Sequence, residues 1–375
     1  VVFEDFAYRL YASAQRARHD PNELAALAPY LSDPVRTELA AEPPASIPVS
    51  NVVVGALKIV DSSFREASGD RPATVQLALD YVCNVTLGSR AQSQTFYLHE
   101  VWSLQRDASA RTKSPEETQR LGCPNCGAPF ESSDGRRCNY CGQVVADGRF
   151  AWQVVSRRVL EREPEPPALT SDVEERGTDW PSVIDPDNEV AWRALRARDP
   201  AVDDAGLQAR IARIYDALNE GWSALDLGGV RGFVSDAMFD YLRYWTEAYT
   251  AQGLRNRLER MAIARIERVK VVLDHHFSAV TLRIWASGLD YTVAADSGAI
   301  VSGSNRTPRE YSEYWTLIRA AAARGPARDD ATCPSCGAPL HINMAGNCEH
   351  CASHITRGEF DWVLSKIEQD DVYAG

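Results

Sequence analysis

The chain has 375 residues with 45% hydrophobic content, which is enough apolar material to bury at least two cores. Its net charge of −12 opposes binding to nucleic-acid phosphates, so nucleic acid is an unlikely partner and an anionic membrane could be approached only through a local basic patch. No apolar run approaches the ~20 residues that span a bilayer, and no signal peptide is recognisable. Nine cysteines, eight of them in CxxC spacing, favour a reducing compartment. We therefore expect a cytoplasmic protein.

The first part of the chain, residues 1–115, has the pattern of helices followed by strands. Helical spacing from residue 1 to about 18 ends at the turn Asp20-Pro21-Asn22, and a second helix begins near Leu24 and ends before Pro43. Apolar stretches that indicate antiparallel strands follow at 52–54, 57–60, 75–79 and 101–104. This order predicts an α+β domain. Because helical spacing is present from the first residue, we also expect a segment upstream of it.

Two four-cysteine clusters repeat one spacing, with eleven residues between the CxxC pairs of each cluster. Their members are Cys123, Cys126, Cys138 and Cys141 in the first cluster and Cys333, Cys336, Cys348 and Cys351 in the second. Two CxxC turns can place four thiolates around one zinc ion in a closed tetrahedron without an open coordination position. We predict two zinc ribbons, at 116–160 and 326–375, and two zinc ions. Iron and disulfides are the alternatives, but rubredoxin-type iron sites have a longer gap.

The resemblance between the two ribbons extends beyond the cysteines. Gly127, Gly142 and Gly337 follow the second cysteine of their pairs, where a residue without Cβ lets the backbone fold back toward sulfur, whereas Ala352 stands at the fourth such position. The segments 148–154 and 358–364 both alternate large apolar residues. This predicts a matching strand after each ribbon and two structurally duplicated halves.

The second half begins with a stretch, 161–205, that is rich in Pro and acidic residues and predicts a surface linker with one helical turn at 190–195. Two helical stripes follow and then strands, which together predict a domain at 206–325 with a curved four-stranded sheet and a hairpin at Asp274-His275-His276. The predicted elements are helices from 207 to 225 and from 230 to 245, and strands at 266–273, 280–284, 289–293 and 314–318.

A set of motifs in this second domain resembles a known family. They are Tyr215-x6-Trp222, Phe233-Val-Ser-Asp236, Asn256, Asp290-Tyr-Thr-Val293, Ser302-Gly303 and Glu313-Tyr-Trp315-Thr-Leu-Ile-Arg319. With them, residues 207–319 resemble the domain of the mitochondrial inner-membrane translocase subunit forty-four family, in a form known from bacteria. Residues 3–106 resemble it through Tyr30-Leu-Ser-Asp33 and Glu100-Val-Trp102-Ser-Leu-Gln-Arg106. The resemblance implies tandem cone-shaped helix-on-sheet domains of the nuclear-transport-factor-two type, with membrane- and protein-binding roles rather than catalysis.

Several other residues are candidates for function. Relatives of such a cone use an inward carboxylate for acid/base chemistry, and Asp290, Tyr291 and Glu313 are the candidates here, although a solvated role is the simpler interpretation. The histidines are expected to be solvated or to decorate the ribbon: His275, His276, His341, His350 and His354. A local basic cluster could contact anionic lipid: Arg255, Arg257, Arg260, Arg265, Arg268 and Lys270.

From these observations we expect a non-enzymatic interaction or scaffold protein with two structural zinc ribbons, protein partners and a possible position at the inner face of a membrane. The alternative is a second cone that binds or transforms a small apolar molecule. The aromatic residues distinguish the two, because they either fill the cone or line a cavity. Trp222 and Trp315 are expected to fill it.

Overall fold

The computed structural model describes residues 1–69, 71–89, 92–115, 117–118, 120–164, 169–170, 175–326, 332–343, 345–356 and 358–375. These residues form two compact units, 2–167 and 168–375. Each unit packs helices against an antiparallel sheet, which confirms the predicted α+β fold class. We call the helices and sheet of the first unit cone 1 and those of the second unit cone 2. Ribbon 1 is residues 121–150, and ribbon 2 is residues 332–360.

Cone 1 begins with three helices: α1 (Val2–Ala17), α2 (Pro21–Ala26) and α3 (Asp33–Ala41). The carboxylate of Asp20 accepts the N–H of Asn22 at 2.8 Å and caps α2, and Pro21 occupies its first turn. The predicted first helix and its closing turn are therefore confirmed. The predicted second helix is two short helices.

The sheet of cone 1 contains four antiparallel strands in the order β1-β2-β3-β4. Their bounds are β1 Val49–Arg65, β2 Thr74–Ser89, β3 Gln92–Asp107 and β4 Gln153–Glu163. β1 continues through both of the short strands predicted at 52–60. The fully buried rings of Tyr11 on α1, Tyr81 on β2 and Trp102 on β3 lie 4.7–5.5 Å apart and form the centre of the core.

Cone 2 repeats this order. Its helices are α4 (Asn188–Arg198), α5 (Asp204–Ala224) and α6 (Asp236–Ala251), with a 3-10 helix at Gly228–Phe233. Its strands are β5 Leu254–Leu273, β6 Phe277–Ala294, β7 Ile300–Gly303, β8 Arg309–Ala320 and β9 Val363–Gln369. The order is β5-β6-β8-β9, with β7 beside β6, so the described sheet has five strands rather than the predicted four. The strands predicted at 280–284 and 289–293 are one strand, β6, and the hairpin before it is confirmed.

The segment 161–205 differs from the predicted surface linker. Residues 161–163 complete β4, and α4 packs on cone 2 through the buried side chains of Trp192 and Leu195. Residues 177–185 also bind cone 2, because Arg283 of β6 donates to the carbonyl oxygens of Gly177 and Trp180 at 2.8 and 2.7 Å. Because these contacts are made by backbone carbonyl oxygens, they leave no pattern of apolar side chains in the sequence. The composition of the segment therefore suggested a linker.

The strand that follows each ribbon also starts later than predicted, at Gln153 and Val363, and it completes the sheet of its own cone. The ribbon is thus inserted before the last strand of each sheet. Matching contacts occur in both units. The N–H of Ser32 donates to the carbonyl of Val154 at 3.0 Å, and the N–H of Ser235 donates to that of Leu364 at 2.9 Å. The helix-then-sheet order expected for duplicated halves is therefore present in both.

The aromatic residues expected to fill cone 2 occupy different positions. Tyr215 and Trp315 lie in the core, each 3% exposed, with ring centroids 6.0 Å apart. Trp222 is only partly buried, and its indole N–H donates to Asn256 at 3.0 Å. Tyr314 lies in a separate buried cluster with Val269 and Tyr373. The packing of Trp315 favours the filled-core interpretation.

Replacing Trp315 by Ala is expected to lower the unfolding free energy of cone 2 by about 3–5 kcal/mol, because it removes a buried indole and leaves a cavity. Hydrogen exchange of β6 amides in increasing urea isolates this unit from the other. Trp180→Ala is the matched control, since that side chain is 54% exposed and its loss should cost under about 1 kcal/mol. An equally small loss for Trp315→Ala would contradict a filled cone.

Candidate metal centres

Each CxxC pair forms one tight turn closed by a backbone hydrogen bond to its first cysteine. Residue 127 donates to the carbonyl of Cys123, and residue 142 donates to that of Cys138, at 2.8 and 2.9 Å. In ribbon 2, residues 337 and 352 make the same bonds to Cys333 and Cys348, both at 2.8 Å. The donating residue has a positive φ at all four turns, between 59° and 78°. The shared turn brings the two sulfur atoms of each pair to one side.

The fourth turn carries backbone strain. Its φ of 59° belongs to Ala352, whereas glycine occupies the other three positions. A left-handed conformation costs an L-residue roughly 1–2 kcal/mol that glycine does not lose. Ala352 adopts this left-handed conformation despite the cost, so the conformation is imposed by the surrounding ribbon. The three glycines after the CxxC pairs therefore correctly predicted a turn with positive φ. Ala352, which replaces glycine at the fourth pair, forms the same turn.

The sulfur atoms are spaced for a tetrahedral ion. In each cluster the four Sγ atoms lie within 4.8 Å of one another. Cys123 and Cys141 are 3.8 Å apart, Cys126 and Cys138 are 4.0 Å apart, and Cys333 and Cys351 are 3.8 Å apart. Zinc bonds of about 2.3 Å require tetrahedral edges of about 3.8 Å. A disulfide would need about 2.05 Å. The eight predicted ligands therefore form two sets that fit a metal ion, with zinc the predicted metal.

Local hydrogen bonds favour the thiolate at the last cysteine of each cluster. The Asn125 side chain and the Gln143 N–H lower the pKa of Cys141 to about 6. The hydroxyl and N–H of Ser353 lower the pKa of Cys351 to about 6. By contrast, burial raises the pKa of Cys123 to about 12. Holding that buried sulfur as a thiolate requires a cation, so the donor set is suited to a metal-loaded state.

Ribbon 1 packs on cone 1 through apolar contacts. Its buried side chains Phe130 and Val145 form one cluster with Cys123, Cys138 and Ala28, which lies in the turn after α2. The hydroxyl of Tyr30 donates to the carbonyl of residue 122 at 2.8 Å, which adds one polar contact to this face. Ribbon 1 is therefore positioned by burial of apolar surface next to its metal ligands.

Ribbon 2 binds cone 2 through a polar network centred on Asp236, at the first residue of α6. One carboxylate oxygen accepts from Arg231 at 2.5 Å and from the Thr356 hydroxyl at 2.8 Å, and the other lies 3.4 Å from His354 Nε2. Burial alone would raise the pKa of Asp236, but hydrogen bonds from His354 and Arg231 lower it well below its usual range. His354 thus anchors ribbon 2 to cone 2 through Asp236.

The acid/base candidates all have structural partners. Asp290 accepts from Asn256 at 2.7 Å and pairs with Arg309 at 3.3 Å, and Tyr291 donates to Glu259 at 2.6 Å. Burial raises the pKa of Glu313, whose oxygens accept from Trp315 at 2.9 Å and Gln369 at 2.8 Å. These three candidates do not share a hydrogen bond.

The basic cluster on β5 is partly neutralised. Arg268 lies 2.5 Å from both Glu189 and Asp204, and its guanidinium stacks 4.2 Å above Trp192 of α4. Arg265 pairs with Glu267 at 3.2 Å. The other members are Arg255, Arg257, Arg260 and Lys270. The positive charge available to a membrane is therefore smaller than the count of cations implies. Among the described residues, no helix is long and apolar enough to cross a bilayer.

Sequence reasoning singled out Ser-Asp at the start of α6 but did not identify Asp236 as the anchor of ribbon 2. Its partners Arg231 and Thr356 lie 5 residues before it and 120 after it. No periodicity links such positions. The only signal was the contrast between the copies, because ribbon 1 has Val144 where ribbon 2 has His354. A polar residue that replaces an apolar one in a repeat is a reason to expect a polar partner elsewhere.

Metal analysis of the intact chain should find about two zinc ions, and Cys138→Ser or Cys348→Ser should each remove one, because a closed site loses most of its affinity with one thiolate. Inductively coupled plasma mass spectrometry measures this directly. Cys83→Ser is the control, since Cys83 is buried in cone 1 outside either cluster. A red iron chromophore would contradict zinc. Cysteines that become open to alkylation only after reduction of disulfides would also contradict it.

Asp236→Asn is expected to destabilise the docking of ribbon 2 by about 1–3 kcal/mol at pH 7, because buried Arg231 loses its carboxylate while solvent screens part of the effect. The folded pKa of Asp236 lies below the unfolded value, so this contribution is full above an unfolded pKa of about 3.9 and is lost as pH falls below it. Amide exchange in ribbon 2 measures it. Ribbon 1 provides the internal control, and equal changes in both ribbons would contradict this role.

Comparison with known proteins gives one family match. The model described as the Tim44-like domain matches residues 188–327, from the start of α4 to just beyond β8. No curated protein matches the chain. A solved structure titled "Ntf2 like protein involved in plasmid conjugation" is 8% identical and covers 98% of this chain and 96% of that chain, with a TM-score of 0.21. A TM-score this low does not establish a shared fold. The part of cone 2 from α4 to β8 is thus the part of the chain that resembles the Tim44-like domain.

Proposed function

We propose that this protein is a non-enzymatic scaffold that binds protein partners, with two zinc ribbons that are structural. The observation that carries the proposal is the closed donor set of each ribbon. Four cysteine sulfurs complete the tetrahedron of a zinc ion and leave no position for water or substrate. Catalytic zinc sites, by contrast, keep one open position. The metal then fixes the shape of a surface instead of supplying chemistry.

The Tim44-like match supports a role in a protein assembly at a membrane. It covers cone 2 from α4 to β8, without β9, and domains of this type suggest membrane-associated protein interaction. Among the described residues, four of the six cations that could face lipid form no ion pair, and one of these four, Arg260, is exposed. We propose that contact with anionic lipid is secondary to protein binding, because each cation near a surface adds only about 1 kcal/mol.

The alternative, a small apolar ligand in cone 2, is supported by one polar cluster. The hydroxyls of Tyr215 and Tyr311 are 2.9 Å apart, and both tyrosines lie in the electrostatic field of Glu313. A carboxyl group of raised pKa near two hydroxyls could orient a bound molecule. The filled core around Trp315 weighs against it. We therefore rank ligand binding second.

Chemical crosslinking with mass spectrometry on the zinc-loaded full chain tests the scaffold proposal. We expect defined protein partners, crosslinked through the ribbons or cones, that are lost when Cys138→Ser or Cys348→Ser removes one zinc. Cys83→Ser should retain them. Native mass spectrometry of the same preparation tests the alternative. A stoichiometric small molecule without any protein partner would overturn the scaffold proposal.

A further inference from the structure

The two cones differ at one arginine that has the same place in both. Arg319 near the end of β8 and Arg106 near the end of β3 each follow the tryptophan of a Glu-x-Trp motif by four residues. Both face a residue of the long central strand at matching register, Ser278 for Arg319 and Val75 for Arg106. Each guanidinium also lies over the tryptophan that follows its own ribbon.

In cone 2 this arginine is neutralised by a carboxylate. Arg319 stacks 5.9 Å from the centre of the Trp362 ring and donates to Asp199 at 3.2 Å. Both side chains are buried, at 3% and 6% exposure. Asp199 lies at the end of α4 and is followed by buried Val202, which belongs to the core of cone 2. An acidic residue followed closely by an apolar one thus fills this position.

In the part of cone 1 that the structure describes, no carboxylate pairs with the corresponding arginine, Arg106. Arg106 lies 4.6 Å from the centre of the Trp152 ring, so the stacking is the same. The buried Nε atom makes no hydrogen bond to the described residues in either arginine, so the two differ at the terminal nitrogens, where only Arg319 donates to a carboxylate. Burial lowers the pKa of Arg106, as expected when no anion offsets the loss of water. A carboxylate that reaches the terminal nitrogens of Arg106 would offset this burial as Asp199 does for Arg319.

A small pocket adjoins Arg106. Its volume is about 40 Å³, and its aromatic wall includes Phe3, Tyr30 and Trp152. The described residues that line it also include four cations and one acidic residue: Arg106, Arg111, Lys113, Arg120 and Glu117. The local charge is therefore +4 − 1 = +3 in a chain whose net charge is −12. Cavities for drug-sized ligands measure about 300–1,000 Å³, so this pocket admits one small group and not a whole ligand of that size.

We propose that this pocket binds an acidic side chain of a partner protein, with the carboxylate on Arg106 and a neighbouring apolar residue on the aromatic wall. The occupant is an acidic–apolar peptide segment of the kind that Asp199 and Val202 supply within cone 2. Charge complementarity supports the proposal, because the carboxylate would lie among side chains whose net charge is +3. The proposal deepens the scaffold function and rests on it, since it names the chemistry of one partner.

A panning experiment on the immobilised, zinc-loaded full chain tests the proposal with displayed random peptides of about twelve residues, long enough in extended form to cross the pocket. We expect enrichment of peptides with Asp or Glu close to an apolar residue. Their affinity, measured by fluorescence anisotropy, should fall about tenfold or more with Arg106→Gln and recover in part with Arg106→Lys. Raising the salt concentration should weaken it.

Arg265→Gln is the matched control, because Arg265 also stacks on a tryptophan, 4.3 Å from the ring centre of Trp285 in the other unit. If Arg106→Gln impairs folding, as zinc content would reveal, Arg111→Gln with Arg120→Gln replaces it, since both side chains are exposed. The same loss of affinity is expected.

Three results would overturn the proposal. They are the absence of enrichment, peptides without an acidic residue, and affinities that Arg106→Gln leaves unchanged. Binding of anionic phospholipid vesicles or self-association of the chain that depends on Arg106, without acidic peptide binding, would also overturn it. The scaffold function is judged separately, because partners crosslinked to the intact chain through any surface would sustain it even if this pocket bound no peptide.

Discussion

One buried residue after each ribbon holds the three parts of its unit together. Val154 is fully buried, pairs with Leu104 on β3 and bridges to Leu31 at the start of the α3 region. Leu364 does the same with Leu317 and with Val234 before α6. Each ribbon is therefore a loop whose return strand must reach both sheet and helices. Closing a loop of this length costs on the order of 3 kcal/mol in chain entropy, and a metal that orders the loop reduces that cost.

The two units keep this backbone arrangement but solve the same electrostatic problem differently. Glu100 of cone 1 accepts from Trp102 and pairs with Arg157, which also pairs with Glu42. Its counterpart Glu313 accepts from its own tryptophan but meets an uncharged amide instead of an arginine. Burial then raises the pKa of Glu313. A buried carboxylate needs a cation or a shift toward its protonated form, and each unit uses one of these.

Much of the fold followed from local pattern, because it depends on local physics. The CxxC spacing predicted eight ligands, and the sulfur positions now form two tetrahedral sets. The period of the apolar residues predicted α1, α5 and most strands, whereas the single helix predicted at 230–245 is a 3-10 helix at Gly228–Phe233 followed by α6. The period could not show that 280–284 and 289–293 are one strand, since the small residues Ala286 and Gly288 interrupt the alternation of large apolar residues, although residues 285–288 continue the register with β8. Likewise, the role of Asp236 depends on Thr356, a partner that only the folded chain brings near.

The segment before cone 2 was misread for a physical reason that also explains its composition. Residues 177–185 bind through their backbone, with carbonyl oxygens facing the fully buried guanidinium of Arg283 and the indole of Trp285. The segment also donates the N–H of Val183 to the Tyr314 hydroxyl and the N–H of Asp185 to the Val269 carbonyl. These backbone contacts require no apolar period, and Pro181 and Pro186 lie at other positions, so they remove neither donor. The segment buries part of the sheet. Val269 beneath it is 0% exposed, whereas Val60, at the corresponding bulge of cone 1, is 54% exposed. A segment rich in proline and acidic residues therefore covers the sheet here. The side chains that hold it in place belong to the sheet, which is why the segment's own sequence does not reveal the contact.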